Sequence, residues 1–314
     1  MRFAVEAWDP EYGSPMEQEL IDARTPVDAE VELGEAVWRP VRPDGTVAPE
    51  ASLLFVDGVR RVEAHVWVTA PPSDGISGAS HQGICASYAA GVVRCDGRAT
   101  VETARTARGV FCHPDGAAAI STRHGEFVLH AVPGEDPARL TLALQAAMGR
   151  LEVEVATAAG PTSPVIVDGP LRDGQHRLGF VGYVKTHRTR YGAPFVGDVV
   201  ASLAPGERTP LLCIGGPRPR YSWYLRLPGP PVHPWSGIVR LEIAAEVPVS
   251  EAAATADRLA LSLPAYASTP HKDTRAPQNL FPIAGLERQL RHRLGDRHLI
   301  LRALRDAAAR AEVA

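Results

Sequence analysis

The chain has 314 residues, enough to bury a substantial core, and its length lies between one large α/β domain and two small ones. With 45% apolar and 22% charged residues it reads as a folded globular protein, which excludes a mainly disordered or fibrous chain. A net charge of -3 means that any grip on nucleic acid must come from local basic patches and not from the field of the whole molecule.

The start, MRFAVEAWDPEYG, carries early acidic residues and lacks the apolar run of a secretory signal. No stretch approaches the roughly 18 apolar residues that span a bilayer. Cys85, Cys95, Cys112 and Cys213 lie far apart with no C-x-x-C pair, so neither a zinc knuckle nor a disulfide framework is encoded. A reducing cytoplasm is the expected compartment.

Residues 1–50 are rich in Pro, Glu and Asp and read as an N-terminal extension, with one main domain over 51–314. The run Leu53-Leu54-Phe55-Val56 predicts a strand ending in an Asp57-Gly58 turn, and the alternation of Val62, Ala64, Val66 and Val68 predicts a second one. Further strands are expected at Ile84–Val93 and Val128–Val132. From Pro137 to about Ala158, Leu140, Leu144, Ala147, Met148, Leu151 and Val155 recur at helical spacing. Val165-Ile166-Val167 into Asp168-Gly169 has the form of a buried strand, and Gly179–Val184 follows as another. Trp223–Leu227 and Ile238–Ala244 suggest an antiparallel pair. A helix from about Val249 to Leu263, a Pro-rich loop, a helix carrying Leu286, Leu290 and Leu294 closed by Gly295, and a last helix from near Asp296 complete the chain. The pattern is α/β, a mixed sheet of five or more strands flanked by helices, with C-terminal helices at the end.

Asp-Gly pairs begin at 44, 57, 74, 96, 115, 168 and 173, and most are ordinary turns. Asp57 and Asp168 differ because each follows an apolar run that must be an interior strand. A carboxylate there is costly to desolvate unless something positive neutralises it, and a bound cation would do so. Two such aspartates with a helix glutamate form an oxygen-only cluster that suits Mg²⁺ or Mn²⁺. Taken singly, each aspartate reads as readily as a turn residue. The helix offers Glu152 and Glu154 on opposite flanks of its apolar stripe, and periodicity does not choose between them.

The order FVDG (Asp57), RLEVE (Arg150 to Glu154), VIVDGPL (Asp168) and VGYVKT (Lys185) resembles the NurA family, nuclease partners of HerA-type ATPases, over roughly residues 50–310. The resemblance implies an RNase H-like core and a metal-dependent DNA nuclease that processes ends in repair. Asp57, Glu152 and Asp168 would then hold Mn²⁺ or Mg²⁺. It prefers Glu152 to Glu154 by its distance from the second aspartate, and it places Lys185 at the scissile phosphate or DNA backbone. It also implies a homodimer, a hexameric HerA-type translocase and DNA as partners, and no membrane. Lys185, Arg188 and Arg190 form the basic run where a phosphate backbone would pass.

Arg240 and Glu242 in VRLEI resemble an Arg-x-Glu strand of the family, and a cross-strand ion pair explains them equally well. At the C-terminal end the sequence departs from the family: aligned on Pro277 and Leu280, Ala276 and Ala284 stand where a tyrosine and a histidine are usual. His271, Asp273 and Glu287 are the candidate substitutes for that last ligand. The departure motivates a second reading, a catalytically inactive adaptor that docks on a HerA-type ATPase or DNA. A third reading is an RNase H-like enzyme acting on RNA or hybrids.

Overall fold

The computed structural model describes residues 25–69, 79–134, 136–159, 163–176, 178–187, 191–230 and 232–313. Among them are eleven strands and five α-helices, an α/β chain with mixed strand pairing flanked by helices, as expected for an RNase H-like fold. The strands are β1 (Val27–Asp28), β2 (Leu53–Thr69), β3 (Ser80–Cys95), β4 (Ala99–Cys112), β5 (Ile120–Thr122), β6 (Gly125–Ala131), β7 (Val165–Asp168), β8 (Phe180–Val184), β9 (Leu212–Ile214), β10 (Arg220–Arg226) and β11 (Ile238–Ala244). The helices are α1 (Pro137–Ala159), α2 (Pro194–Ser202), α3 (Val249–Ser262), α4 (Phe281–Arg293) and α5 (Arg297–Val313).

Two compact units account for the chain. The first comprises residues 1–56, 93–100 and 160–285, and the second 57–92, 101–159 and 286–314.

In the first unit the strands run β1-β9-β10-β11-β8-β7, with the opening residues of β2 beside β7. Leu54, Phe55 and Val56 pair in parallel with Val165, Ile166 and Val167, and β7 pairs in parallel with β8. The remaining neighbours are antiparallel. Parallel strands are covered on both faces and therefore carry unbroken apolar runs. Leu53 to Val56 and Val165 to Val167 are all buried, and that is why these short segments were legible as strands. From residue 25 on, the N-terminal stretch is built into this unit. Trp38 is buried with Tyr191, Val196 and Tyr224, and Glu32 binds the buried Arg208 guanidinium at 2.8 and 3.0 Å, with Asp257 on its other side at 2.6 Å.

In the second unit the rest of β2 leads to β3, β4, β6 and β5 in that order, β4 and β6 being parallel. Cys85, Val110, Cys112 and Phe127 pack with Ile300 and Leu304 of α5. Leu140, Leu144, Met148, Leu151 and Val155 line the buried stripe of α1, each contributing about 1.5–3 kcal/mol of burial. The four cysteines are free thiols, and burial pushes Cys85 up to about 12, with Cys112 and Glu63 adding to it. No helix among the described residues is long and apolar enough to cross a membrane.

One local expectation fails. Asp57-Gly58 is no turn: β2 runs unbroken from Leu53 to Thr69 and the pair lies inside it. The glycine is there for close packing against Glu152 and Met148 and not for a positive φ. The short strands β1, β5 and β9 had no expectation, and neither did two longer elements, β4 and α2. Most of β4 is polar and solvent-facing until Val110, so it lacks an apolar alternation, and α2 begins PFVG, a sequence poor in helix formers.

Candidate functional site

Asp168 is the last residue of β7, and Gly169 at φ +98° turns the chain away from it. The turn is fastened to β8 by reciprocal backbone bonds between Gly169 and Tyr183, both 2.9 Å. Two residues on, the Leu171 N–H donates to Glu242 Oε1 at 2.7 Å.

Glu242 on β11 is fully buried and holds the centre of a charge network. Its Oε2 accepts from Arg220 Nε at 2.9 Å and Arg240 Nη1 at 2.5 Å. Burial pushes its carboxyl up, but Arg240, Arg220 and the Leu171 N–H outweigh that and hold it below the ordinary range. Arg240 lies 5.0 Å over the Tyr191 ring and donates to Ser222 Oγ. Both partners of the Arg240–Glu242 pair are on one strand, so the pair is not a cross-strand one, and Arg220 supplies the cross-strand contact. Backbone space for the glutamate comes from Gly182, where a β-carbon would lie 2.7 Å from Glu242 Cγ and 3.1 Å from both Gly169 O and Leu171 N.

Lys185 follows β8 directly and is buried. Its Nζ donates to Asp168 Oδ2 at 2.6 Å and to Asn279 Oδ1 at 2.9 Å. Asn279 in turn donates through Nδ2 to Asp273 Oδ2 at 2.6 Å, and Asp273 also accepts from Arg275 Nε at 3.2 Å. Burial raises the Asp273 carboxyl, and the bonds from Asn279 and Arg275 more than reverse it, leaving it low. The loop is seated by Tyr183 OH, which donates to Gln278 O at 2.7 Å, and by Gln278 Nε2, which donates to Lys185 O and Ile238 O. Asp168, Lys185, Asn279 and Asp273 thus form one hydrogen-bonded chain. Asn279 and Gln278 were not singled out in the sequence; polar residues in a Pro-rich loop read as solvated, and the burial of Asn279 depends on where the loop lands.

In the second unit Asp57 sits in β2 and its Oδ1 accepts from the Gly58 N–H at 2.8 Å. Glu152 on α1 is buried, and its carboxylate lies directly against Gly58. A β-carbon at 58 would overlap that carboxylate and reach within 3.0 Å of Met148 Cγ. Glu154 is exposed and pairs with Arg105 at 2.7 Å. The absent side chain at 58 leaves the room that the Glu152 carboxylate fills on the strand bearing Asp57, and carboxylate oxygens are the donor type that a hard divalent cation takes.

Of the other candidates, His271 is exposed and Glu287 pairs with Arg291 one turn along α4. Ala284 is buried and carries no ligating atom. Arg188 and Arg190 lie outside the described residues.

A comparison with protein families matches the NurA domain over residues 75–287. A comparison with curated proteins finds no match.

Proposed function

The chain belongs to the NurA family, and on that premise we propose that it is a divalent-metal-dependent deoxyribonuclease in which Asp57, Glu152 and Asp168 hold Mn²⁺ or Mg²⁺ and Lys185 contacts the phosphate. Family membership makes the function nuclease-associated; the residues supply the finer reading.

One observation carries it. Val56 and Val167 are register partners in a parallel pair, and each is followed by an aspartate. When bound, the cation lowers the pKa of a water and stabilises the leaving oxygen. The residues of the chain do the rest. Gly58 admits Glu152 to the strand that bears Asp57. Glu242 fixes the turn after Asp168 through the Leu171 N–H, which limits where that carboxylate can point. Lys185 sets a positive charge beside Asp168, and Asn279 keeps it there, so that a backbone phosphate approaching Asp168 meets a cation and not bare carboxylates. DNA, a HerA-type ATPase and a second copy of the chain are the partners that go with this reading.

One observation favours the adaptor reading. Ala276 and Ala284 supply no donor for a last ligand, and Asp273 is committed to Asn279 and Arg275. A single experiment separates the two: Mn²⁺ binding by calorimetry and DNA cleavage, measured on wild type and Asp57→Ala. The enzyme binds Mn²⁺ and cuts, and Asp57→Ala cuts at least about 10²-fold more slowly. Equal cleavage by wild type and variant overturns the site assignment, and wild type that neither binds Mn²⁺ nor cuts establishes the adaptor.

A further inference from the structure

The geometry points to a second metal site, of the imidazole type, formed by His81, His113 and Asp115 in the second unit. His81 is the second residue of β3, and His113 is the first residue after β4. Asp115 lies in the turn that follows, where Gly116 takes φ +68°. One donor atom from each of the three lies within 4.8 Å of the others.

Two of the donors already stand at chelating distance. His113 Nδ1 and Asp115 Oδ2 are 3.5 Å apart. Metal–ligand bonds of about 2.0–2.2 Å in tetrahedral geometry put neighbouring donors roughly 3.3–3.6 Å apart. The third donor lies within 4.8 Å of these two and closes on the ion by a change of the His81 side-chain torsions. That ring is stacked on His113 at 4.3 Å between centroids and 23° between planes, with both its nitrogens sheltered from solvent, and it turns out of the stack to aim a lone pair at the ion.

The strands hold the two imidazoles in place. At Gly83 a β-carbon would lie 2.7 Å from Cys112 Cβ and 2.9 Å from Phe111 O, so β3 and β4 pack closely beside the ligands. A rigid pair of strand ends gives the preorganisation that a loop would not. A plain turn contact between His113 and Asp115, whose backbone N lies 3.4 Å from His113 Nδ1, accounts for those two residues and does not involve His81.

Two imidazoles and one carboxylate select a borderline first-row ion of the Zn²⁺ class over Mg²⁺ or Ca²⁺. This donor set is chemically distinct from the all-carboxylate set of the proposed nuclease, and the inference stands independently of that reading. Three protein ligands leave a fourth position for water. The ion would act as a clasp between the start of β3 and the turn after β4.

The test is a Zn²⁺ titration of the full chain by calorimetry under saturating Mg²⁺, which occupies oxygen-only sites, paired with thermal melting. Wild type is expected to bind one Zn²⁺ per chain and to melt at higher temperature with it. His81→Gln, His113→Gln and Asp115→Asn should each weaken binding at least about tenfold and lose the melting shift. Asp115 is 64% exposed on a turn, so Asp115→Asn decides the matter if a histidine variant fails to fold. Absence of Zn²⁺ binding in wild type, or unchanged affinity in Asp115→Asn, overturns the site.

Discussion

Two of the buried glutamates, Glu152 and Glu242, each depend on a residue that has no side chain. Glu152 reaches β2 because position 58 is glycine, and Glu242 reaches the turn after Asp168 because position 182 is glycine. Gly58→Ala should therefore force the Glu152 carboxylate and Met148 aside. We expect a loss of about 1–3 kcal/mol of unfolding free energy, read from the urea midpoint, and weaker Mn²⁺ binding. Gly45→Ala, where a β-carbon meets nothing within 4 Å, is the control and should change little. At this scale the sequence was partly legible. Asp168 followed an apolar run, so its place at the end of β7 could be read off, and Lys185 followed the next strand. Asn279 could not be read, because nothing in APQNLF distinguishes a buried amide from a solvated one. Its role depends on a contact with Lys185, 94 residues away in sequence.

Among the elements, β11 carries the heaviest electrostatic load. It pairs with β10 and β8 and contributes both Arg240 and Glu242. The depressed carboxyl of Glu242 makes a definite prediction about acid. A group held below its ordinary 4.5 in the folded state contributes stability that is fully present above pH 4.5 and lost as pH falls through the folded value. Unfolding free energy should therefore drop below about pH 4.5, and Glu242→Gln should flatten that part of the slope. The variant should also lose about 3–5 kcal/mol at neutral pH, because it leaves Arg240 buried against no carboxylate. Denaturant titrations between pH 3 and 7 check both effects; an acid slope unchanged by Glu242→Gln would contradict the first. Strand β11 was legible to the residue, as was the start of α1, because the apolar period fixed each. The Asp-Gly signal at 57 misled because the same dipeptide serves turns and close approaches, and only the partner across the gap tells them apart. Strand β4 stayed hidden because its long exposed stretch has no apolar face to announce it.

On the scale of the whole molecule, the chain is interleaved. Each compact unit draws on three separate stretches, and the path leaves the first unit at residue 56, returns for 93–100, and returns again at 160. No contiguous half of the sequence contains either unit complete. A fragment of residues 1–159 should therefore lack β7, β8 and α5, leave the Leu53–Val56 segment without its β7 partner, and fail to fold. Circular dichroism and limited proteolysis of that fragment would show it, and a cooperative, protease-resistant fragment would contradict the prediction.

The two glycine–glutamate pairs extend to the history of the chain. If Gly58 exists to admit Glu152, and Gly182 to admit Glu242, then substitutions at each pair are not independent events. A lineage that acquires a side chain at 58 must shorten or lose the acid at 152, and once that acid is gone only the contact with Met148 still favours the glycine. At 182 the link is one-sided, because the backbone of Gly169 and Leu171 also crowds a side chain there and disfavours one even without Glu242. Across related chains Gly58 and Glu152 should be kept together or lost together, and a descendant that had lost the acid would show drift at position 58, a site that bears no functional group.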